Sequence, residues 1–380
     1  MSLKKNLQAQ SAIAFAERIL ALLDQGSFNT TYKFAVLLGL MDLVVEKSDK
    51  YGLLGNMITT RQLAEKVVEI YWNHTCEYPG TQIILLQGKS GQAEIIELVL
   101  RFREFSKFQS FFKAKNLFKD RYNSLLDLVE KKTIEMPLSR LQYFGKQEHR
   151  FIYDISWSKN NPANLRDVTK YQKKHNQEPS LFDNRIHLFP NVADYLINLS
   201  GLLRPLIQRT WALEVAKINK LDESKLHNFL FSSERIGITR LTEPLRELQN
   251  DKCFYCETMF GSTNNKKPAV DHFIPWARYP NDGLANFVLA HTDCNGSKSD
   301  HIASVEHLKN WMIRNNDSNI ISQLGVISDK NYWEIRKEES ASIAKNFYLR
   351  LQSGVELWAD KNDFKLADVD QIKSIFSSYI

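Results

Sequence analysis

Residues with the types and spacing of metal ligands cluster in three short segments of this chain. These are Cys253-Phe-Tyr-Cys256, Val270-Asp-His-Phe-Ile-Pro275 and His291-Thr-Asp-Cys-Asn295. Their metal-binding side chains fall within 43 residues. Thiolates favour Zn²⁺, whereas carboxylate and amide oxygens favour a hard cation such as Mg²⁺. The region therefore contains ligands for two kinds of metal chemistry, and we expect its fold to be organised around them.

The first set of ligands predicts a closed zinc site. The pairs Cys253-x-x-Cys256 and His291-x-x-Cys294 are separated by 34 residues. A gap of two residues lets both side chains of a pair reach one ion, and two pairs complete a tetrahedron. We therefore predict a structural zinc that stabilises the fold and takes no part in chemistry. Asp293 is an alternative fourth ligand, and three buried free cysteines are the alternative to any metal site.

The second set lies on two predicted strands and the start of a helix. The first strand covers residues 268–272, the second covers residues 287–290, and the helix begins near Thr292. Neighbouring side chains of a strand point to opposite faces. Asp271 can therefore face a metal while His272 faces a substrate.

These residues together resemble the HNH, or ββα-metal, nuclease superfamily. The signature reads Cys-x-x-Cys, then Val-Asp-His-Phe-Ile-Pro, then Ala-Asn-Phe-Val-Leu, then His-x-x-Cys-Asn-x-x-Lys. Residues 288–300 are also similar to the HNH domain of RNA-guided CRISPR effector nucleases. The resemblance covers roughly residues 245–305, a minority of the chain.

The resemblance implies a role for each matching position. His272 is the expected general base that activates water, and Asp271 and Asn295 are expected to bind one divalent cation, Mg²⁺ or Mn²⁺. Asn286 is expected to hold the loop between the strands and the orientation of His272. Lys298 is expected to contact phosphate.

Two positions depart from the usual pattern of the superfamily. Asn295 stands where the family name suggests a terminal histidine, but its amide oxygen is an acceptable ligand for a hard ion. The pair His291 and Cys294 replaces the more usual second Cys-x-x-Cys. This departure makes the fourth zinc ligand the least defined part of the signature.

The resemblance implies a metal-dependent endonuclease that hydrolyses phosphodiester bonds, with DNA as the expected substrate. Family habit favours a role in restriction or anti-phage defence. An RNA-cleaving HNH toxin is one alternative, and a zinc-stabilised nucleic-acid-binding module without catalysis is another. Retention of Asp271, His272 and Asn295 together disfavours the second alternative, because binding alone needs none of them.

The composition of the 380-residue chain is that of an ordinary globular protein, with 43% hydrophobic and 25% charged residues. A net charge of +6 is compatible with a polyanionic partner such as DNA. Three of the four cysteines lie in the cluster, so we expect no disulfide framework and a reducing, cytoplasmic setting. The apolar run 34–45 contains Asp42 and is too short to cross a bilayer, so we expect no membrane association.

We predict a mainly α fold with a small zinc-stabilised ββα-metal domain. The predicted helical N-terminal region is a candidate for recognition or regulation, and for contact with a partner protein or a second copy of the chain. The final segment is predicted to be helical, with one helix over residues 338–358. The expected segments are a helical N-terminal domain (1–157), a polar linker or long loop (158–185), a helical connector (186–240), the HNH domain (241–316) and a C-terminal helical extension (317–380).

Overall fold

The computed structural model describes residues 2–25, 29–46, 55–107, 110–174, 178–223, 226–231, 235–263, 266–352 and 354–379. The chain forms two compact units. Unit 1 comprises Met1–Val44 and Leu54–Phe231, and unit 2 comprises Val45–Leu53 and Ser232–Ile380. Helices predominate over small antiparallel sheets, which confirms the predicted mainly α fold. The boundaries of the five predicted segments stay a prediction.

Unit 1 is built mostly from helices. They are α1 (Ser2–Gln25), α2 (Tyr32–Glu46, of which the part up to Val44 belongs to this unit), α3 (Thr60–His74), α4 (Glu94–Ser106), α5 (Phe111–Leu117), α6 (Lys119–Thr133), α7 (Leu165–Lys173), α8 (Val192–Asn198), α9 (Ser200–Asn219) and α10 (Leu226–Phe231). The strands are β1 (Met57–Thr59), β2 (Tyr143–Phe144), β3 (Gln147–Glu148), β4 (Tyr153–Asp154) and β5 (Arg185–Leu188). β5 lies between β1 and β4 in one sheet, and β2 pairs with β3 in another.

Helix α3 illustrates how the sequence starts and orients a helix of unit 1. The Thr59 hydroxyl accepts a hydrogen bond from the Gln62 backbone N–H at 3.3 Å, and the Gln62 side chain accepts one from the Thr59 N–H at 3.0 Å. This reciprocal cap satisfies two N–H groups that the helix itself leaves unpaired. Leu63 and Val67 are buried on one face, and the helix packs against α4 and α6. Local capping and the apolar face together fix its position in the core.

The segment 158–185 differs from the predicted polar linker. It contains α7, which begins after Asn164, whose side chain accepts a hydrogen bond from the Arg166 N–H at 3.0 Å. Val168 and Tyr171 are buried on the inner face of this helix. The abundance of polar residues obscured a short amphipathic helix, so the prediction of a linker or loop is wrong for this part of the segment.

Unit 2 contains the predicted ββα arrangement. Its elements are α11 (Arg235–Ile238), α12 (Thr242–Leu248), β6 (Pro268–His272), β7 (Phe287–His291), α13 (Thr292–Lys298), α14 (Val305–Asn316), α15 (Ser318–Asn331), α16 (Lys337–Tyr348), β8 (Glu356–Asp360), β9 (Asp363–Leu366) and α17 (Val369–Tyr379). β6 pairs with β7 in antiparallel register, with His272 opposite Phe287. α13 packs on both strands.

The end of the chain corrects the prediction of a wholly helical extension. The predicted helix 338–358 ends at Tyr348, and β8 and β9 then form an antiparallel hairpin. Trp358 of β8 is fully buried and meets the Tyr255 ring at a centroid distance of 5.0 Å. Packing against the cysteine-bearing turn thus outweighs the helical pattern, and it fastens the hairpin to the ββα region.

A bilayer-spanning helix is absent from the described residues, because none combines the necessary length with the necessary hydropathy.

Replacement of Trp358 tests whether the β8–β9 hairpin supports unit 2. Trp358→Ala should lower the free energy of unfolding by about 3–5 kcal/mol, because it leaves a large cavity beside Tyr255. Leu366→Ala is the control on the same hairpin, since Leu366 is 67% exposed and should change stability by about 0.5 kcal/mol or less. Urea unfolding of the full chain, followed by circular dichroism, measures both effects. Equal losses in the two variants would contradict a supporting role for Trp358.

Candidate functional site

The first cysteine pair lies on a tight turn. The Cys253 N–H donates to the Thr258 carbonyl at 3.0 Å, and the Glu257 N–H donates to the Cys253 carbonyl at 2.9 Å. Glu257 adopts a left-handed φ of +56°, which reverses the chain direction immediately after Cys256. The turn therefore presents both thiols of the pair toward the end of β7.

Cys253, Cys256, His291 and Cys294 meet at one point. Their ligand atoms all lie within 4.8 Å of one another. Cys256 Sγ is 3.2 Å and Cys294 Sγ is 3.9 Å from His291 Nδ1. Ligand atoms around a tetrahedral zinc are about 3.5 Å apart, so the group fits this ion. The four residues form a possible zinc site, and His291 supplies the fourth ligand atom in place of the alternative Asp293.

The orientation of the His291 ring is set by its second nitrogen. Nε2–H donates to the Met259 carbonyl at 3.1 Å, so that Nδ1 is left as the atom facing the sulfurs. His291 is the last residue of β7, and Cys294 lies in the first turn of α13. The strand-to-helix transition thus determines the spacing of this ligand pair.

The electrostatics of the cluster favour a thiolate at Cys253. A hydrogen bond from the Cys294 thiol, assisted by the backbone N–H groups of Cys256, His291 and Tyr255, lowers the pKa of Cys253 to about 5. The same hydrogen bond, reinforced by burial, raises the pKa of Cys294. Because thiolate is the form that binds metal, Cys253 is prepared for ligation by its surroundings.

Asp271 lies on the buried side of β6. Its Oδ2 atom accepts a hydrogen bond from the Tyr255 hydroxyl at 2.6 Å and lies 3.1 Å from the Lys298 ammonium. Burial, together with the nearby Asp271 charge, raises the pKa of Tyr255 well above its usual value, so the phenol remains a donor. Both contacts use Oδ2, and Oδ1 makes no hydrogen bond with another described residue.

His272 makes a separate set of contacts, as the strand alternation predicts. Its Nε2 atom is 2.8 Å from Asp282 Oδ1. The ring meets Phe287 at a centroid distance of 4.9 Å and Trp276 at 5.3 Å. Nδ1 makes no hydrogen bond within the described chain, and the His272 side chain is 13% exposed. The imidazole therefore has one fixed nitrogen and one available nitrogen.

Asn286 closes the loop between the two strands. Its side-chain Oδ1 accepts from the Ile274 N–H at 2.8 Å, and Nδ2 donates to the carbonyls of Ile274 and Asn281 at 3.2 and 3.0 Å. Its own carbonyl accepts from the Phe273 N–H at 2.8 Å. The residue is fully buried and has complete hydrogen bonding. These bonds hold the backbone that directly follows His272.

Lys298 was expected to contact phosphate, but the structure gives its ammonium other contacts. Its side chain is fully buried, and Nζ donates to the His272 carbonyl at 2.9 Å in addition to its ion pair with Asp271. A lysine near the end of a helix is normally exposed, but here the ammonium compensates the charge of a buried carboxylate. Lys298 therefore holds β6 against α13, and its ammonium is occupied by contacts within the domain.

Two members of the site were not predicted from the sequence. Tyr255 lies inside the Cys-x-x-Cys turn, where an aromatic residue suggests only packing. Asp282 belongs to the Pro-Asn-Asp-Gly segment 280–283, whose composition predicts a loop and nothing more. Only the folded chain brings Asp282 to His272.

Residues 253–304 match the HNH endonuclease family.

This segment is an HNH endonuclease domain. The match and the three-cysteine, one-histidine cluster together correspond to the zinc-containing type of HNH domain. Comparison with curated proteins and with solved structures yields no significant match. An HNH domain implies a nuclease-type function and a nucleic-acid substrate.

Asp271 and Asn295 offer oxygen atoms of the kind that suits a hard divalent cation. Asp271 Oδ1 has no described hydrogen-bonding partner, and the same is true of the half-buried Asn295 side chain on α13. One carboxylate and one amide oxygen are suitable Mg²⁺ or Mn²⁺ ligands that leave positions for water and phosphate. The residues present are therefore compatible with a catalytic cation, and their chemistry differs from that of the thiolate cluster.

Removal of one thiolate tests the zinc site. Cys253→Ser should reduce bound zinc from one equivalent to nearly none, and it should destabilise the HNH domain, because metal binding is coupled to folding. Cys76→Ser is the matched control, since Cys76 lies in unit 1 outside the cluster. Elemental analysis of the purified full-length variants measures the zinc. Full zinc content in Cys253→Ser would exclude the proposed ligand set.

Removal of the buried ammonium tests the role of Lys298. Lys298→Met should lower the free energy of unfolding by about 3 kcal/mol, because it leaves Asp271 as a buried charge without its cation. Lys361→Met is the control, because Lys361 forms a half-exposed ion pair with Asp293 and should cost about 1 kcal/mol or less. Urea unfolding compares the two variants. A loss in Lys298→Met no larger than that in Lys361→Met would show that the buried pair does not stabilise the domain.

Proposed function

We propose that this chain is a metal-dependent endonuclease that hydrolyses phosphodiester bonds of DNA, with His272 as the general base. The observation that carries the proposal is the arrangement of His272 within the HNH domain. One ring nitrogen is bound to Asp282, and the other is free to accept a proton from water. Asp271, adjacent in sequence, directs its carboxylate to the other side of β6.

Imidazole suits this role because it can accept a proton near neutral pH. The attacking water would lie against Nδ1, while the Phe287 and Trp276 rings limit the movement of the imidazole. Asn286 would restrict the His272 imidazole indirectly, because its side chain fixes the backbone at Ile274. The chain thus supplies a positioned base whose neighbouring backbone is held by several hydrogen bonds.

Asp271 and Asn295 would hold one Mg²⁺ or Mn²⁺ ion. When bound, such an ion neutralises the charge that develops on the phosphate and on the departing 3′ oxygen. Lys298 would hold the Asp271 carboxylate in place for the ion, because its ammonium contacts Oδ2 and leaves Oδ1 without a described partner. The expected products carry 5′-phosphate and 3′-hydroxyl ends.

The biological setting of the proposal rests on the family resemblance. It favours a cytoplasmic role in restriction or anti-phage defence. In such a role, the helical N-terminal region would serve recognition, regulation or assembly. The mild positive charge of +6 is compatible with binding DNA.

Substitution of His272 tests the catalytic assignment. His272→Ala should reduce cleavage by about 10²–10⁴-fold, because the proton acceptor is lost. Its zinc content and unfolding midpoint should match those of wild type. His301→Ala is the control, since His301 is an exposed histidine of the same unit outside the proposed site. Plasmid nicking with Mg²⁺ or Mn²⁺ and with excess EDTA measures the activity. Equal cleavage by wild type and His272→Ala would make the assignment wrong.

The same assay decides between the candidate substrates. Wild type should cleave DNA in parallel reactions on single-stranded DNA, duplex DNA and RNA. Cleavage of RNA alone would favour the RNA-cleaving toxin. Metal-independent binding of all substrates, with none cleaved, would favour the non-catalytic module.

A further inference from the structure

We infer that Asp282 is a positioning residue for His272, which holds the imidazole in the tautomer that leaves Nδ1 as the proton acceptor. The inference rests on the proposed function, because it assigns a partner to the proposed general base. Asp282 would act only through His272 and would not touch the substrate.

The contact itself defines the tautomer. An ionised carboxylate can only accept hydrogen bonds, so the proton in the contact between Asp282 Oδ1 and His272 Nε2 belongs to the ring. In a neutral imidazole the other nitrogen is then an acceptor. The contact is 2.8 Å long, and the two side chains are 13% and 34% exposed, so water competes only in part. This arrangement meets the need of a general base that is oriented by a third group.

The loop that carries Asp282 is fastened at several points. The Trp333 indole N–H donates to the Asp282 carbonyl. The Leu284 N–H donates to the Glu334 carbonyl at 2.8 Å, and the Ala285 N–H donates to the Ile335 carbonyl at 2.9 Å. These backbone bonds come from a segment that lies outside residues 253–304. Asp282 is therefore part of a supported loop.

Neighbouring residues show that this loop needs a defined conformation. Fully buried Asn281 donates through Nδ2 to Ser340 Oγ at 2.9 Å and accepts from the Gly283 N–H at 2.8 Å. A Cβ atom at Gly283 would lie 2.6 Å from Arg336 Cβ and 2.9 Å from the Ile335 carbonyl oxygen. Only glycine permits this close approach. The residues on both sides of Asp282 thus fix its backbone and direct its carboxylate to His272.

The experiment combines cleavage kinetics with NMR of the ring nitrogens. Asp282→Asn should lower kcat on the order of 10²-fold with little change in KM, because an amide can donate to Nε2 and favour the opposite tautomer. Asp282→Glu should recover part of the loss, because it restores an acceptor. Asp329→Asn, at an exposed position on α15, is the matched control and should behave as wild type.

The NMR readout does not depend on cleavage. In ¹⁵N-histidine-labelled full chain, wild type should show His272 protonated at Nε2, with the signal assigned by its absence in His272→Ala. Asp282→Asn should lose this tautomer while its zinc content and unfolding midpoint stay unchanged. Retention of the wild-type tautomer or of wild-type kcat in Asp282→Asn would overturn the inference. Absence of cleavage by wild type, with the tautomer still dependent on Asp282, would reject the proposed function and leave the contact established.

Discussion

The geometry of the HNH domain depends on the point where β7 ends and α13 begins. His291 closes the strand, and Cys294 follows in the first helical turn, so both residues of the ligand pair lie at the junction. A two-stranded sheet and a seven-residue helix are each marginal on their own in water. The cluster of His291 and Cys294 with Cys253 and Cys256 joins these short elements to the cysteine-bearing turn and fixes their relative positions. Because Asn295 follows Cys294 directly, the same constraint places an oxygen ligand of the proposed hydrolytic site.

A second support comes from segments that follow the matched family region. Trp311 of α14 stacks on Phe273 at a centroid distance of 4.8 Å and donates its indole N–H to the Ala285 carbonyl at 2.9 Å. Trp358 of β8 donates to Ser297 Oγ at 3.1 Å on α13. The first contact holds the loop between the strands, and the second holds the helix. The small ββα arrangement is therefore completed by the chain around it.

The parts predictable from the sequence are those with local ligand or strand spacing. Cys253 and Cys256 are predictable because a two-residue gap has few geometric outcomes, and the different contacts of Asp271 and His272 follow from strand alternation. Lys298 was misassigned because its burial depends on a carboxylate from another element. Asp282 was missed because a loop composition does not reveal which side chain the loop will meet. In each failure, a tertiary contact decided the position of a charged group.

The charges around the proposed site also affect how it would bind a cation. Lys298 already compensates Asp271, and Asn295 contributes no charge, so the oxygen site offers a divalent cation little net negative charge. Mg²⁺ in such sites gains further ligands from substrate phosphate. Cation and substrate would then strengthen each other's binding, since coupling between two ligands is reciprocal. The Asp282 carboxylate contacts His272 Nε2, so in the proposed mechanism its charge would orient the base and would not bind the ion. Under the proposed mechanism, Asp271 would serve the cation and Asp282 would serve the proton acceptor, because the two carboxylates make separate contacts.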